Sequence, residues 1–287
     1  MNTAVTATPA AKSSLPGVNV LLMGPAGTGK THVIGTLVDA GVEVFYFAYE
    51  AGTESLFGYW TDRGLPIPTN LHTCTVKAAS ASFLEMADSV NKVNVLSYDT
   101  LKKMADPNKS KYNQLETFLR SFNDVRPDGE DKSYGSVQTW GPDRALVIDG
   151  LSGLGDSAMK AVIGGKFDRD QKDWGLAQNI LEGILRKLTG ETQCHFILIA
   201  HVERETDMVL GGVKLMVSTL GRALAPKIPA MFSDVILTAR TGTSWVWDTA
   251  SAIADVKTRN LPISDKIQPT FATILDKWKS RGGAIKA

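Results

Sequence analysis

Cysteine is scarce in this chain. Its two cysteines, Cys74 and Cys194, stand in no metal-ligand spacing. Neither a disulfide framework nor a thiolate metal centre therefore organises the fold, and the pair fits a reducing, cytoplasmic setting. Net charge is scarce as well: 31 Lys and Arg against 30 Asp and Glu leave +1 over 287 residues. No global field announces a nucleic acid or an anionic membrane, so any such contact has to be local. No apolar run approaches the roughly 18 residues of a membrane span, which argues against a membrane partner. Internal repeats are lacking. Residues 1–16 hold Ala, Thr, Ser and Pro with one lysine and no apolar block, and they are expected to form a disordered tail.

With 43% hydrophobic residues, the rest can bury one sizeable core. We expect a single domain over residues 17–287. Its most informative stretch is Gly24-Pro25-Ala26-Gly27-Thr28-Gly29-Lys30-Thr31. This matches the G-x-x-x-x-G-K-[ST] phosphate loop (P-loop), whose glycines let backbone N–H groups close around a phosphate chain. Lys30 is the expected point charge on the β- and γ-phosphates, and the Thr31 hydroxyl the expected ligand of Mg²⁺. An apolar strand over 18–23 leads into the loop, and a helix over 31–40 is predicted after it. His32 follows on that helix and is grouped with the nucleotide-binding residues by position, although its ring is expected to face neighbouring structure.

Further strands end in polar residues. The run 42–49 (VEVFYFAY) is apolar on both faces, as a central strand must be, and ends in Glu50. A carboxylate at that tip, next to a phosphate site, stands where open α/β sheets place their chemistry. The run 145–149 (ALVID) ends in Asp149, the expected Mg²⁺-side carboxylate beside Thr31. The residue after it is Gly150 rather than Glu, so the catalytic base has to come from elsewhere, and Glu50 is available. The strand 194–200 (CHFILIA) ends in His201, a candidate reporter of the γ-phosphate. His72 and His195 read as structural, and Cys194 as core.

A short strand over 71–76, helices over 81–93 and 111–125, and a turn-rich insertion over 126–143, mobile or partner-facing, fill the middle of the chain. A helix over 173–189 carries an apolar stripe that includes Leu176, Leu181 and Leu185, with Trp174 packing in the core. Residues 202–229 are expected to form a ligand-contacting loop. Strands over 234–239, 244–248 and 253–258 would close the sheet as a meander, with Trp245 and Trp247 on one face in a core or interface role. Residues 255–287 form the one clearly basic segment, and a last helix over 268–280 buries Phe271, Ile274, Leu275 and Trp278.

This order of parts resembles the RecA-like ATPase core. Within that superfamily it looks most like compact, phage-encoded ATP-binding proteins related to Rad-type recombinases and linked to single-strand annealing. The residues carrying the resemblance are GPAGTGKT, the strand end at Glu50, LVIDGL, the DWG opening the long helix, ILIAHVERE and DVKTRN. The resemblance implies an α/β fold of RecA-like P-loop NTPase type, a mostly parallel central sheet flanked by helices with an antiparallel closing meander. It implies an ATP hydrolase using ATP and Mg²⁺, in which Lys30, Glu50, His201, Lys257 and Arg259 act catalytically and Thr31 and Asp149 attend the metal. Glu50 would orient or deprotonate the attacking water, and His201 would take the sensor position held by glutamine in RecA. Lys257 and Arg259 would enter a neighbouring subunit's site, making the active form a homo-oligomeric ring or filament. The implied partners are single-stranded DNA and phage or host recombination proteins. A hexameric helicase or translocase core and a small-molecule kinase are the alternatives.

Overall fold

The computed structural model describes residues 15–50, 52–76, 109–120, 122–124, 132–163, 169–206 and 211–285. The helix expected over 81–93 and residues 1–14 of the expected tail lie outside them.

The alternation in the apolar runs explains the architecture. Strands β1 (Asn19–Met23), β2 (Glu43–Ala48), β3 (Leu71–Thr75), β6 (Arg144–Asp149), β7 (His195–Ala200), β10 (Asp234–Thr241) and β11 (Ser244–Asp248) form one sheet. Their order is β11-β10-β1-β7-β6-β2-β3. Every neighbouring pair is parallel except β10 and β11, an antiparallel hairpin at the edge. Successive side chains point to opposite faces, so a strand covered on both sides must be apolar throughout. Leu21, Phe45, Phe47, Leu146, Ile148, Phe196 and Leu198 face one layer. Val20, Leu22, Val44, Tyr46, Val147, Ile197 and Ile199 face the other.

Each layer is a set of helices with one apolar stripe. The first holds α3 (Lys109–Arg120), α4 (Leu151–Ile163) and α5 (Gln171–Gly190), which bury Leu115, Phe118, Leu154, Ala158, Leu181 and Leu185. Asp170 caps α5 reciprocally with Asp173, a capping box that fixes where this helix starts. The second layer holds α1 (Gly35–Asp39), α2 (Thr53–Thr61) and α7 (Phe271–Ser280). Helix α7 buries Phe271, Ile274, Leu275 and Trp278, the four positions read from its spacing. The Trp278 indole N–H donates to the Pro16 carbonyl at 2.8 Å, tying down the last residues of the expected tail. A short helix α6 (Ile228–Met231) precedes β10.

Several expectations change. The helix expected over 111–125 ends at Arg120, because Asn123–Asp124 (β4) pairs with Lys132–Ser133 (β5). The described part of the 126–143 segment is packed rather than free, since Val137 and Trp140 are each only 1% exposed. On α5, Leu176 is exposed at 55% and Trp174 is half-buried, because the buried stripe runs through Ala177, Leu181, Leu185 and Leu188. The expected third strand of the meander is reduced to isolated bridges at Ala254 and Lys257. The buried Asp234 carboxylate explains this: its Oδ1 accepts from the Thr258 hydroxyl and from the Arg259 and Asn260 N–H groups. Those donors curl the chain into a turn instead of offering it to a ladder.

Candidate nucleotide site

Parallel strands present their C-terminal ends together, and the polar residues at those ends meet in one cleft of about 550 Å³. The loop after β1 lines it with residues 26–31, β2 contributes Glu50, β6 Asp149 and β7 His201. Strand β7 lies between β1 and β6, yet the Thr31 hydroxyl donates to Asp149 Oδ2 at 2.7 Å across it. The helix after the loop begins as a 3-10 turn at His32–Ile34 and continues as α1.

Lys30 is buried, with its Nζ donating to the Gly24 and Pro25 carbonyls at 2.9 and 2.7 Å. An ammonium carries three donors, so one N–H remains for a phosphate oxygen. Burial pulls its pKa down to about 8, while the charges of Asp149 and Glu50 oppose the fall. Asp149 is 8% exposed; burial raises its pKa, against the hydrogen bonds from Tyr46 and Thr31. A hydroxyl and a carboxylate are hard oxygen donors of the kind that suit Mg²⁺ alongside phosphate oxygens and water. Among the described residues no cluster of three or more His, Cys, Asp or Glu could hold a metal.

Glu50 and His201 form a pair. The His201 Nε2 and Glu50 Oε2 lie 3.0 Å apart, and an ionised carboxylate only accepts, so Nε2 carries the proton. Gly150 makes room for this pair. Its φ is +115°, and a Cβ there would lie 3.1 Å from both Cγ and Oε1 of Glu50. A side chain at position 150 would therefore be strained by its backbone and would crowd Glu50.

Two site residues escape a reading of the sequence. Trp245, on the edge strand β11, donates its indole N–H to the Gly27 carbonyl at 3.1 Å and lies over Gly29. Gly29 has φ +78°, and a Cβ there would meet the indole at 2.6 Å. The His32 ring packs edge-on between Tyr59 and Trp245 and also lines the cleft. Nothing local in the sequence marks Trp245, because its place depends on the strand order. Tyr46 is the second: it donates to Asp149 Oδ2 from within β2. The one sequence signal is the hydroxyl of Tyr46, the only one within β2, four positions before Glu50.

Lys257 and Arg259 are absent from this cleft. Lys257 pairs with Val235, next to Asp234, whose partner is Val20 near the start of β1; the P-loop follows the other end of that strand. The Lys257 Nζ donates to the Ala230 carbonyl at 3.1 Å. Both side chains are exposed. His72 and His195 are buried away from the cleft, and burial pulls His195 down to about 4. Cys194 is also buried, its thiol pushed up to about 11, which makes it an inert core residue.

Beyond His201 the chain forms a hairpin of β8 (Val202–Thr206) and β9 (Val213–Val217). It returns to the site: the Ser218 N–H donates to the His201 carbonyl at 2.8 Å, and the Ser218 hydroxyl to Glu203 at 2.6 Å. On the hairpin Lys214 pairs with Asp255 at 2.9 Å, and Arg222, beyond it, reaches Glu205 of β8 at 3.8 Å. Among the described residues no helix is long and apolar enough to cross a membrane.

No protein-family model and no curated protein matches the chain. Among solved structures, it is similar to the RadB recombinase at 16% identity, over 88% of this chain and 86% of that one, with a TM-score of 0.38. It is also similar to the type III secretion ATPase EscN of enteropathogenic E. coli, solved with its central stalk EscO. That likeness has 12% identity over 87% of this chain and 54% of the other, with a TM-score of 0.40. Likenesses of this size concern the fold, and the chemistry has to be argued from the cleft itself.

Proposed function

We propose that the chain is a Mg²⁺-dependent ATPase that assembles on single-stranded DNA as a homo-oligomer and acts in homologous recombination or annealing. The observation that carries the ATPase part is the convergence of Lys30, Thr31, Asp149, Glu50 and His201 in one cleft. Bound with nucleotide, the metal would neutralise phosphate charge, held by the Thr31 hydroxyl and, through water, by Asp149. Lys30 adds a fixed cation to the β- and γ-phosphates. Glu50 accepts a proton from the attacking water as its oxygen bonds to the γ-phosphorus and the bond to the leaving ADP oxygen breaks. His201 holds one Glu50 oxygen, and the other is the acceptor this reading assigns to the water proton.

The oligomeric part is supported by where Lys257 and Arg259 stand. They are exposed and away from their own cleft, so only another copy can bring them to a transition state. A cation supplied in trans is worth ~10³–10⁵ in rate in related phosphoryl transfers. The DNA part rests on the resemblance of the sequence to annealing-linked ATPases and on the hairpin after His201. Ion pairs on that hairpin are exposed, hence weak, and can be exchanged for phosphate contacts.

The test is ATP turnover with and without single-stranded DNA, beside Lys30→Ala. DNA-stimulated turnover that Lys30→Ala abolishes is expected, with DNA affinity falling steeply as salt rises. Absence of single-strand binding at low salt with ATP and Mg²⁺ would remove the DNA part. Unwinding of duplex would point to a helicase instead, and phosphate transfer to an added acceptor to a kinase.

A further inference from the structure

Asp234 opens β10 and is fully buried, a place where a carboxylate is costly unless donors meet its charge. Among the described residues, all the donors to its side chain come from one turn. Its Oδ1 accepts from the Thr258 hydroxyl at 2.8 Å and from the Arg259 and Asn260 N–H groups at 2.8 and 3.0 Å. Its Oδ2 accepts from the Asn260 side-chain amide at 2.6 Å. The Thr258 hydroxyl oxygen in turn accepts the Leu261 N–H at 2.7 Å, which closes the turn. Just before it, Lys257 exchanges both of its backbone hydrogen bonds with Val235. The main chain on both sides of Arg259 is thus held, while its exposed guanidinium makes no hydrogen bond or ion pair among the described residues.

We infer that Asp234 is a positioning residue for the cation delivered in trans: it fixes the main chain under Arg259, so that the guanidinium reaches a neighbouring copy's site from a set base. This rests on reading Arg259 as acting in trans. A long side chain stabilises a transition state only if its charge arrives in place, and a displacement near 1 Å can cost about 10²-fold in rate. An ionised carboxylate suits the task because both of its oxygens only accept, and the turn offers it nothing but donors. Asp234 pairs with Val20 near the start of β1, whereas the P-loop follows the other end of that strand. It therefore bears on the neighbour's site and not on its own.

The experiment is ATP turnover of the full chain with Mg²⁺ and single-stranded DNA, for Asp234→Asn alone and mixed with other variants. The new amide sets its NH₂ against that of Asn260, which cannot turn its oxygen inward without leaving Arg281. Turnover should fall roughly 10²-fold, the scale of a misplaced group. Affinity for a non-hydrolysable ATP analogue, measured without DNA, should stay that of wild type. Mixed with Glu50→Gln, the variant should recover turnover, because its intact cleft then meets an intact Arg259 turn. Mixed with Arg259→Ala it should not, because neither copy supplies a placed cation. Exchanging the two side chains, Asp234→Asn with Asn260→Asp, sets donor against acceptor again and should raise turnover toward wild type. Thermal unfolding checks that each variant is folded; if Asp234→Asn is not, Thr258→Val, which removes one donor from the turn, takes its place with the same pattern. Wild-type turnover in Asp234→Asn, or recovery with Arg259→Ala, overturns the role of Asp234. So does failure to recover with Glu50→Gln when Glu50→Gln and Arg259→Ala recover together. If those two do not recover together, the trans reading itself falls, and the inference with it.

Discussion

Raising the pH from 7 to 10 should weaken nucleotide binding through Lys30 alone. Free of ligand, the Lys30 ammonium is held at about 8 by burial, down from an ordinary 10.5. A polyphosphate at its third N–H favours the charged form and raises that value, so binding above pH 8 must take up a proton. Affinity then falls by up to one decade per pH unit, reaching about 30-fold below its neutral plateau at pH 9.5. Folding carries the opposite sign. The folded pKa lies below the unfolded one, so the cost of burying the charge is full below pH 8. It is relieved as pH rises from about 8 to 10.5, and this group makes the protein more stable there, not less. The assay is calorimetry with a non-hydrolysable analogue at fixed Mg²⁺, in buffers of differing ionisation enthalpy to count the proton. Lys30→Arg should bind more weakly but without the alkaline loss, because a guanidinium stays charged. Affinity that is flat to pH 10 in the wild type would refute the reasoning, since Lys30 would then be hydrated or remote from phosphate.

Replacing Glu50→Gln should lower turnover about 10²–10⁴-fold, the worth of a general base, with analogue affinity unchanged; steady-state kinetics and calorimetry separate the two. Mixing inactive Glu50→Gln with inactive Arg259→Ala should restore measurable turnover, because some interfaces then pair an intact Glu50 with an intact Arg259. No recovery at any ratio would remove the trans assignment. Leu181→Ala should cost ~2–5 kcal/mol in denaturant unfolding, because it empties a buried site between α5 and the sheet. Leu176→Ala, on the exposed side of the same helix, should change stability by less than about 0.5 kcal/mol.

Much of this fold was legible because its strands are buried on both faces. Runs such as 42–49 have no solvated side to confuse the period, and the polar residue ending each run marks the edge where the cleft forms. The P-loop was legible for a different reason: its glycines answer to backbone geometry rather than to packing. What could not be read was long-range pairing. The segment over 253–258 has the composition of a strand, but just beyond it the Asp234 carboxylate, over twenty residues away, accepts the Arg259 and Asn260 N–H groups and turns the chain. Trp245 became a site residue only because the sheet order carries β11 beside the loop after β1. The coupling of Glu50 to His201 likewise joins residues separated by 151 positions. In contrast, Leu176 fell outside the stripe because a helix turn covers about 100° per residue, and one position at the margin turns to solvent.

The central claim is that the loop over 24–31 grips a triphosphate while acids at adjacent strand ends attend the metal and the water. A crystal structure with a non-hydrolysable ATP analogue and Mg²⁺ tests it most directly. The account predicts the Lys30 Nζ within hydrogen-bonding distance of the β- and γ-phosphates. It also predicts the Thr31 hydroxyl on the metal and a water between Glu50 and the γ-phosphorus. A triphosphate bound elsewhere, or lying in the cleft with Lys30 still turned to the Gly24 and Pro25 carbonyls alone, would contradict it.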